Sequence, residues 1–127
     1  VLVMDDELVI LDLLRMMLDR MGYETVQTRN GDEAIAAFHE ARRSGRPFAA
    51  ILLDLTIRGG QGGQATGIEI RQHDPTIPVF VLSGYADDPV VADPAAHGFT
   101  DSLSKPFTMD ALAKLLNRNL PGHKEDL

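Results

Sequence analysis

The sequence contains no cysteine. That excludes disulfides and thiolate-bound metals, and it leaves the redox compartment undefined. Long apolar runs are missing too. The longest, Phe48 to Leu53, falls far short of the roughly 20 residues needed to span a bilayer, and the amino end lacks the pattern of a signal peptide. Positive charge is scarce: 12 lysines and arginines against 19 aspartates and glutamates give a formal net charge of -7, with a pI near 4.9. This balance disfavours direct contact with a nucleic-acid backbone or an anionic membrane surface. Arg42, Arg43 and Arg46 form the one basic cluster, and it falls at an expected helix end, where the helix dipole favours cations. These absences point to a soluble chain, expected in the cytoplasm.

What is present suits one ordinary domain. The chain has 127 residues, of which 44% are hydrophobic and 24% charged. It opens inside a strand and has no initiator methionine, so we expect a portion of a longer protein. The domain is expected over residues 1–120, with 121–127 as a disordered tail.

Short apolar runs alternate with helical patterns. Val1 to Met4 reads as a strand, followed by a helix carrying Leu11, Leu14, Leu18 and Met21 and stopped by Gly22. Tyr23 to Thr28 is a more polar strand suited to a sheet edge. Asn30-Gly31-Asp32 then starts a helix with Ile35, Phe38 and Ala41 on one face. Ala49 to Leu53 and Ile77 to Leu82 are the most apolar strands and should be central. Between them, Gly59, Gly60, Gly62 and Gly63 predict a mobile loop. Gly67 falls inside the helix expected from about Gln64 to His73, where glycine costs roughly 1 kcal/mol relative to alanine, so that helix should be short or frayed. Asp87-Asp88-Pro89 starts a fourth helix that Pro94 interrupts. Phe99 to Leu103 gives a fifth strand, and Met109, Leu112, Leu115 and Leu116 stripe the last helix. The alternation requires right-handed crossovers. It predicts a doubly wound parallel sheet in order 2-1-3-4-5, helices on both faces, and a crevice at the carboxyl ends of strands one and three.

Four strands end in groups with a shared chemistry. Asp5 and Asp6 follow the first, Asp54 the third, Ser83 the fourth and Lys105 the fifth. Asp5-Asp6-Glu7 alone reads better as acidic residues at a helix start, where the dipole favours them. Asp54 is harder to treat as structural. A carboxylate closing the most buried strand carries a desolvation penalty that Asp5 and Asp6 would increase unless positive charge meets it. One Mg²⁺ and Lys105 together neutralise three carboxylates. Asp6 and Asp54 are the expected direct ligands, Asp5 acts through water, and the backbone carbonyl of Thr56 supplies a further ligand. Phosphoryl transfer needs an in-line nucleophile, a cation on the phosphoryl oxygens and fixed donors. Asp54, Lys105 and Ser83 fit those parts.

This ordered set, Asp5-Asp6, Asp54, Ser83-Gly84 and Lys105-Pro106, resembles response-regulator receiver domains of two-component signalling across essentially the whole chain. The resemblance implies a flavodoxin-like (βα)5 fold and Mg²⁺-dependent transfer from a phosphohistidine to Asp54. It also implies slow self-hydrolysis and a cis bond between Lys105 and Pro106. The donor would be a histidine kinase or histidine phosphotransfer domain. The stretches Asp54 to Ile57 with the following glycines, and Ser83 to Pro89, look like receivers of hybrid sensor histidine kinases, which would place the donor in the same polypeptide.

One departure stands out. The position three before the lysine, usually tyrosine or phenylalanine in such domains, is Ser102, which cannot report a switch by burying a ring. Such a domain should act as a phosphate station more than as a partner-binding switch. Thr56 and Tyr85 each lie two residues past a site residue, where their side chains would flank the path of attacking water. The first, fourth and fifth helices offer faces for dimerisation.

The same residues bear on other functions. A haloacid-dehalogenase-type phosphatase needs a second acid two residues after the nucleophile, and Thr56 stands there. A flavodoxin-like phosphate-binding module is opposed by the repulsion of Asp5-Asp6-Glu7. A degenerate receiver used for protein docking remains the main alternative. His39, His73, His97 and His123 show no metal-ligand spacing in sequence and read as solvated surface residues.

Overall fold

In the computed structural model, residues 1–56, 62–84 and 88–120 are described. Five parallel strands, β1 (Leu2–Met4), β2 (Val26–Thr28), β3 (Ile51–Asp54), β4 (Val79–Ser83) and β5 (Asp101–Ser104), form one sheet in the order β2-β1-β3-β4-β5. Between and after them run α1 (Leu8–Arg20), α2 (Gly31–Arg43), α3 (Gly63–His73), the short α4 (Pro89–Ala92) and α5 (Met109–Asn119). This is the doubly wound, flavodoxin-like order expected from the alternation of patterns.

Strand alternation divides the interior into two layers. Val1, Val3, Leu52, Phe80, Leu82 and Leu103 pack against Leu11, Leu14 and Leu18 of α1 and Leu112, Leu115 and Leu116 of α5. Their neighbours Leu2, Met4, Ile51, Leu53, Val79 and Val81 point the other way, onto Ala34 and Phe38 of α2, Ile70 of α3 and Val90 of α4. Buried on both faces, β1, β3 and β4 consequently read as nearly continuous apolar runs. The edge strand β2 differs, with Val26 and Gln27 exposed.

Several boundaries shift from the sequence expectation. The β2 strand covers only Val26–Thr28, and β3 starts at Ile51, because Ala49 is exposed before the ladder begins. On α2 the buried residues are Gly31, Ala34 and Phe38, while Ile35 is only half-buried. Asn30 caps this helix by accepting a bond from the Glu33 amide at 2.9 Å. Pro94 does end α4: a 3-10 turn follows over Pro94–His97 and closes on Gly98 in the left-handed region (φ 86°).

The third helix corrects a prediction. Despite Gly67 it runs unbroken for 11 residues. The reason is packing: a Cβ at Gly67 would collide with the ring of Phe99, approaching Cζ to 2.7 Å, and Phe99 is itself buried. Glycine here lets the helix sit directly on the chain entering β5. Gly62 and Gly63, expected in a mobile loop, are instead the N-cap and first residue of α3. Gly59 and Gly60 lie outside the described residues, as does the expected tail from Pro121.

Helix propensity and packing therefore predict opposite signs for Gly67→Ala. Propensity alone would stabilise by roughly 1 kcal/mol, whereas overpacking a core contact costs about 1–3 kcal/mol. The collision with a buried ring should win, lowering the urea midpoint of the variant. A raised midpoint would return Gly67 to the role of a weak helix residue.

Candidate active site at the carboxyl edge of the sheet

The ladder itself aligns the polar residues. Met4 pairs with Leu53 in register, so the next position on each strand brings Asp5 beside Asp54. Asp54 in turn is level with Leu82, one residue before Ser83, and Ser83 pairs with Ser104, one residue before Lys105. Backbone bonds carry the pairing past the strand ends: the Asp5 amide donates to the Thr28 carbonyl at 3.1 Å, and the Lys105 amide to the Ser83 carbonyl at 2.8 Å. By alternation Asp5, Asp54 and Lys105 share the pleat parity of the α1 and α5 core residues.

The side chains converge accordingly. Lys105 Nζ lies 2.8 Å from Asp5 Oδ2 and 3.3 Å from Asp54 Oδ1. Asp5, Asp6 and Asp54 each offer a carboxylate oxygen, and these oxygens all lie within 4.8 Å of one another. Asp5 is fully buried and Asp54 is 4% exposed, while Asp6 is half-buried. The Glu7 amide donates to Asp5 Oδ1 at 2.9 Å, and the Thr56 amide to Asp54 Oδ1 at 3.3 Å. Oδ1 of Asp54 thus receives both the ammonium and the amide.

One ammonium does not offset three carboxylates. Burial, and then the charge of Asp5, push the Asp54 carboxyl up to about 6, against the opposing pull of Lys105 and the Thr56 amide. For Lys105 burial disfavours the charge, but the bond to Asp5 and the charges of Asp54 and Asp5 outweigh it and raise the ammonium above its ordinary value. The deficit of positive charge, the hard oxygen donors and their mutual proximity fit a divalent cation of the Mg²⁺ type.

Ser83 is 2% exposed at the end of β4, Gly84 follows it at the surface, and the bond between Lys105 and Pro106 is cis. Thr56 is exposed and contributes its amide. Ser102 is half-buried, and its hydroxyl donates to the Val91 carbonyl at 3.4 Å, tying β5 to α4 where an aromatic ring was the usual expectation. Tyr85 lies outside the described residues.

Sequence reasoning missed Gly63. A Cβ there would run into the Asp54 carbonyl oxygen and come within 3.1 Å of Leu55 Cα. Its absence lets the amino end of α3 press against the backbone that presents Asp54. The glycine run is the signal, but in sequence it reads as looseness rather than close approach.

Fold and site together define a doubly wound α/β domain whose carboxyl edge carries a buried aspartate in an acidic, lysine-bridged crevice. A family model described as the response regulator receiver domain matches residues 1–117, and the chain belongs to that family. It is 36% identical over 108 residues to the transcriptional regulatory protein ResD of Bacillus subtilis, covering 85% of this chain and 42% of ResD. It is 31% identical to the nitrogen assimilation regulatory protein NtrX of Azorhizobium caulinodans, covering 94% of this chain and 26% of NtrX. Among solved structures, the receiver domain of NtrX from Brucella abortus superimposes with a TM-score of 0.85 at 31% identity, over 96% of this chain and 98% of that one. The receiver domain of the sensor histidine kinase PA1611 from Pseudomonas aeruginosa, described with a magnesium ion in its active site cleft, gives 0.77 at 27% identity over 93% of each. The chain spans only 22% to 42% of the full length of these and similar curated relatives.

The raised Asp54 carboxyl has a consequence for stability. An acid whose pKa rises on folding holds more protons folded than unfolded, so stability falls as pH climbs from near 3.8 to about 6 and levels off above. In chelator, the stability of the wild type relative to Asp54→Asn should fall by up to about 3 kcal/mol across that window, a difference that cancels the opposite contributions of the depressed Asp74 and Asp101 carboxyls. Parallel pH profiles for the two proteins would show that Asp54 ionises without penalty.

Proposed function

We propose that this chain accepts a phosphoryl group from a phosphohistidine onto Asp54. The observation that carries the reading is the Lys105 ammonium held between Asp5 and Asp54, with Asp6 completing a cluster of three converging carboxylates. An Asp54 carboxylate oxygen forms the new P–O bond while the P–N bond to the donor imidazole breaks, its electron pair staying on nitrogen. Lys105 offsets charge on the phosphoryl oxygens, and the Ser83 hydroxyl donates to one of them. The Thr56 and Lys105 contacts to Oδ1 orient the carboxylate before the donor arrives. Asp6, Asp54, the Thr56 carbonyl and, through water, Asp5 would hold Mg²⁺, which when bound supplies charge for the transferring group. Loss of the phosphate is attack of water at the same phosphorus as the P–O bond to Asp54 breaks and the carboxylate is restored, with Thr56, two residues past Asp54, beside its approach.

The partner is a histidine kinase or a histidine phosphotransfer domain. Leu8 and Val9 begin α1 directly after Asp5-Asp6-Glu7 and are 58% and 77% exposed, which gives an approaching helix an apolar landing beside the crevice. We place the domain in a hybrid sensor kinase on the motif around Asp54 and Ser83 and on its likeness to the PA1611 receiver. A second reading is favoured by the relatives ResD and NtrX, named as regulatory proteins: a receiver controlling a nucleic-acid-binding output elsewhere in its polypeptide. On that reading the acidic receiver itself still makes no contact with the nucleic acid.

Incubation with acetyl phosphate tests the chemistry. Intact mass should reveal one phosphoryl adduct that requires Mg²⁺ and is absent in Asp54→Asn. Lys105→Met should slow its formation by about 10²–10³-fold, the usual cost of removing one preorganised charge-stabilising donor. No adduct in the wild type at any Mg²⁺ concentration would favour a degenerate docking module.

A further inference from the structure

A second group of metal-ligating side chains lies outside the crevice. His39 of α2 and Glu69 and His73 of α3 each present one ligand atom, and these atoms lie within 4.8 Å of one another. The two imidazole rings stand 4.6 Å apart, edge to face at 87°. Glu69 and His73 are four residues apart on one helix, hence on the same face, and His39 comes from the adjoining helix. Sequence spacing shows only the Glu69–His73 pair, because the two histidines are 34 positions apart and only the packing of α2 on α3 joins them.

We propose that His39, Glu69 and His73 form a binding site for a borderline divalent cation of the zinc class. Two imidazoles and one carboxylate are the donor set of zinc sites that keep a fourth position open for water. The same set is a poor match to Mg²⁺, which takes oxygen ligands. Small side-chain rotations would bring three atoms already within 4.8 Å to tetrahedral spacing. His39 and Glu69 are half-buried and His73 is exposed, so the site has both anchoring and an entry path.

The neighbouring cation does not block it. Arg42 is turned onto the His73 backbone carbonyl at 2.8 Å, with its guanidinium 5.4 Å above the Phe38 ring. Glu69 supplies the negative charge that the two neutral imidazoles lack.

The location makes this site independent of the acidic crevice. The third helix starts against Asp54 at Gly63 and ends at His73, so its axial rise of about 1.5 Å per residue puts the histidine roughly 15 Å away, toward the amino edge of the sheet. A cation there would cross-link α2 to the far end of the helix whose near end abuts the Asp54 backbone. The rival explanation is ring packing alone, since His39 also lies 5.4 Å from Phe38.

Calorimetric titration of the 127-residue chain with ZnCl₂, with Co²⁺ absorption as a second readout, tests the proposal. His73→Phe keeps an aromatic ring against His39 but removes a ligand. Glu69→Gln keeps size and removes charge, and Asp6→Asn perturbs only the acidic crevice. With the acidic crevice saturated by excess Mg²⁺, we expect one Zn²⁺ per chain, unaffected by Asp6→Asn and weakened about 100-fold by His73→Phe, no less than the cost of removing an outer partner of a metal ligand. Glu69→Gln should weaken it by at least about tenfold, and the visible Co²⁺ bands of a four- or five-coordinate site should vanish in His73→Phe. Absence of binding, unchanged affinity in His73→Phe, or loss in Asp6→Asn alone would overturn the site. None of these results depends on phosphoryl transfer to Asp54.

Discussion

The contact on which the carboxyl edge depends is the Lys105 ammonium shared by Asp5 and Asp54. It joins residues 100 positions apart in sequence, from the chain following β5 to the chain following β1. Two carboxylates with 0% and 4% exposure would repel each other strongly without it. Even with it the balance is incomplete, and the carboxyl of Asp54 remains well above its ordinary range. Stability is thus held back where charge is needed, and any bound cation or incoming group that adds positive charge is favoured by the same deficit.

The surrounding backbone makes that arrangement rigid. Asp5 and Lys105 sit one residue past the last ladder pairs and are still tied by backbone bonds to Thr28 and Ser83. Gly63 lets α3 close against the Asp54 carbonyl, and Gly67 lets the same helix press on Phe99 just ahead of β5. Arg71 extends the tie at the other end, donating to the carbonyls of Ile77 at 2.6 Å and Gly98 at 2.7 Å. A helix with few apolar side chains is therefore positioned by close backbone approach and by one arginine, where α1 and α5 rely on leucine.

Much of this was legible in sequence, for definable reasons. Central parallel strands are buried on both faces, so β1, β3 and β4 appear as apolar runs, and the residues closing them stand out because they are polar. Alternation with helices then forces one topology and one functional edge. What failed to read was whatever depends on a neighbour distant in sequence. Gly67 looked like a helix weakness because Phe99, its reason, lies 32 positions on. Ile35 looked like a core residue because periodicity alone does not say where a buried face is centred, and Ala34 with Phe38 took that place.

His39 and His73 show the same limit at a chemical site. Ligand spacing within one helix is visible as an i, i+4 pair, and Glu69 with His73 has that spacing, but a pair containing one carboxylate is common on solvated helices. Only the approach of α2 adds the third donor and turns a surface pair into a set with a preference among metals. The acidic cluster is the opposite case. Its members come from segments just as distant in sequence, yet each segment closes a strand, and the order of strands in a doubly wound sheet brings strand ends together without reference to any particular side-chain contact. A site built on strand ends is thus inherited from topology, whereas a site built between helix faces depends on how two helices are rotated against each other.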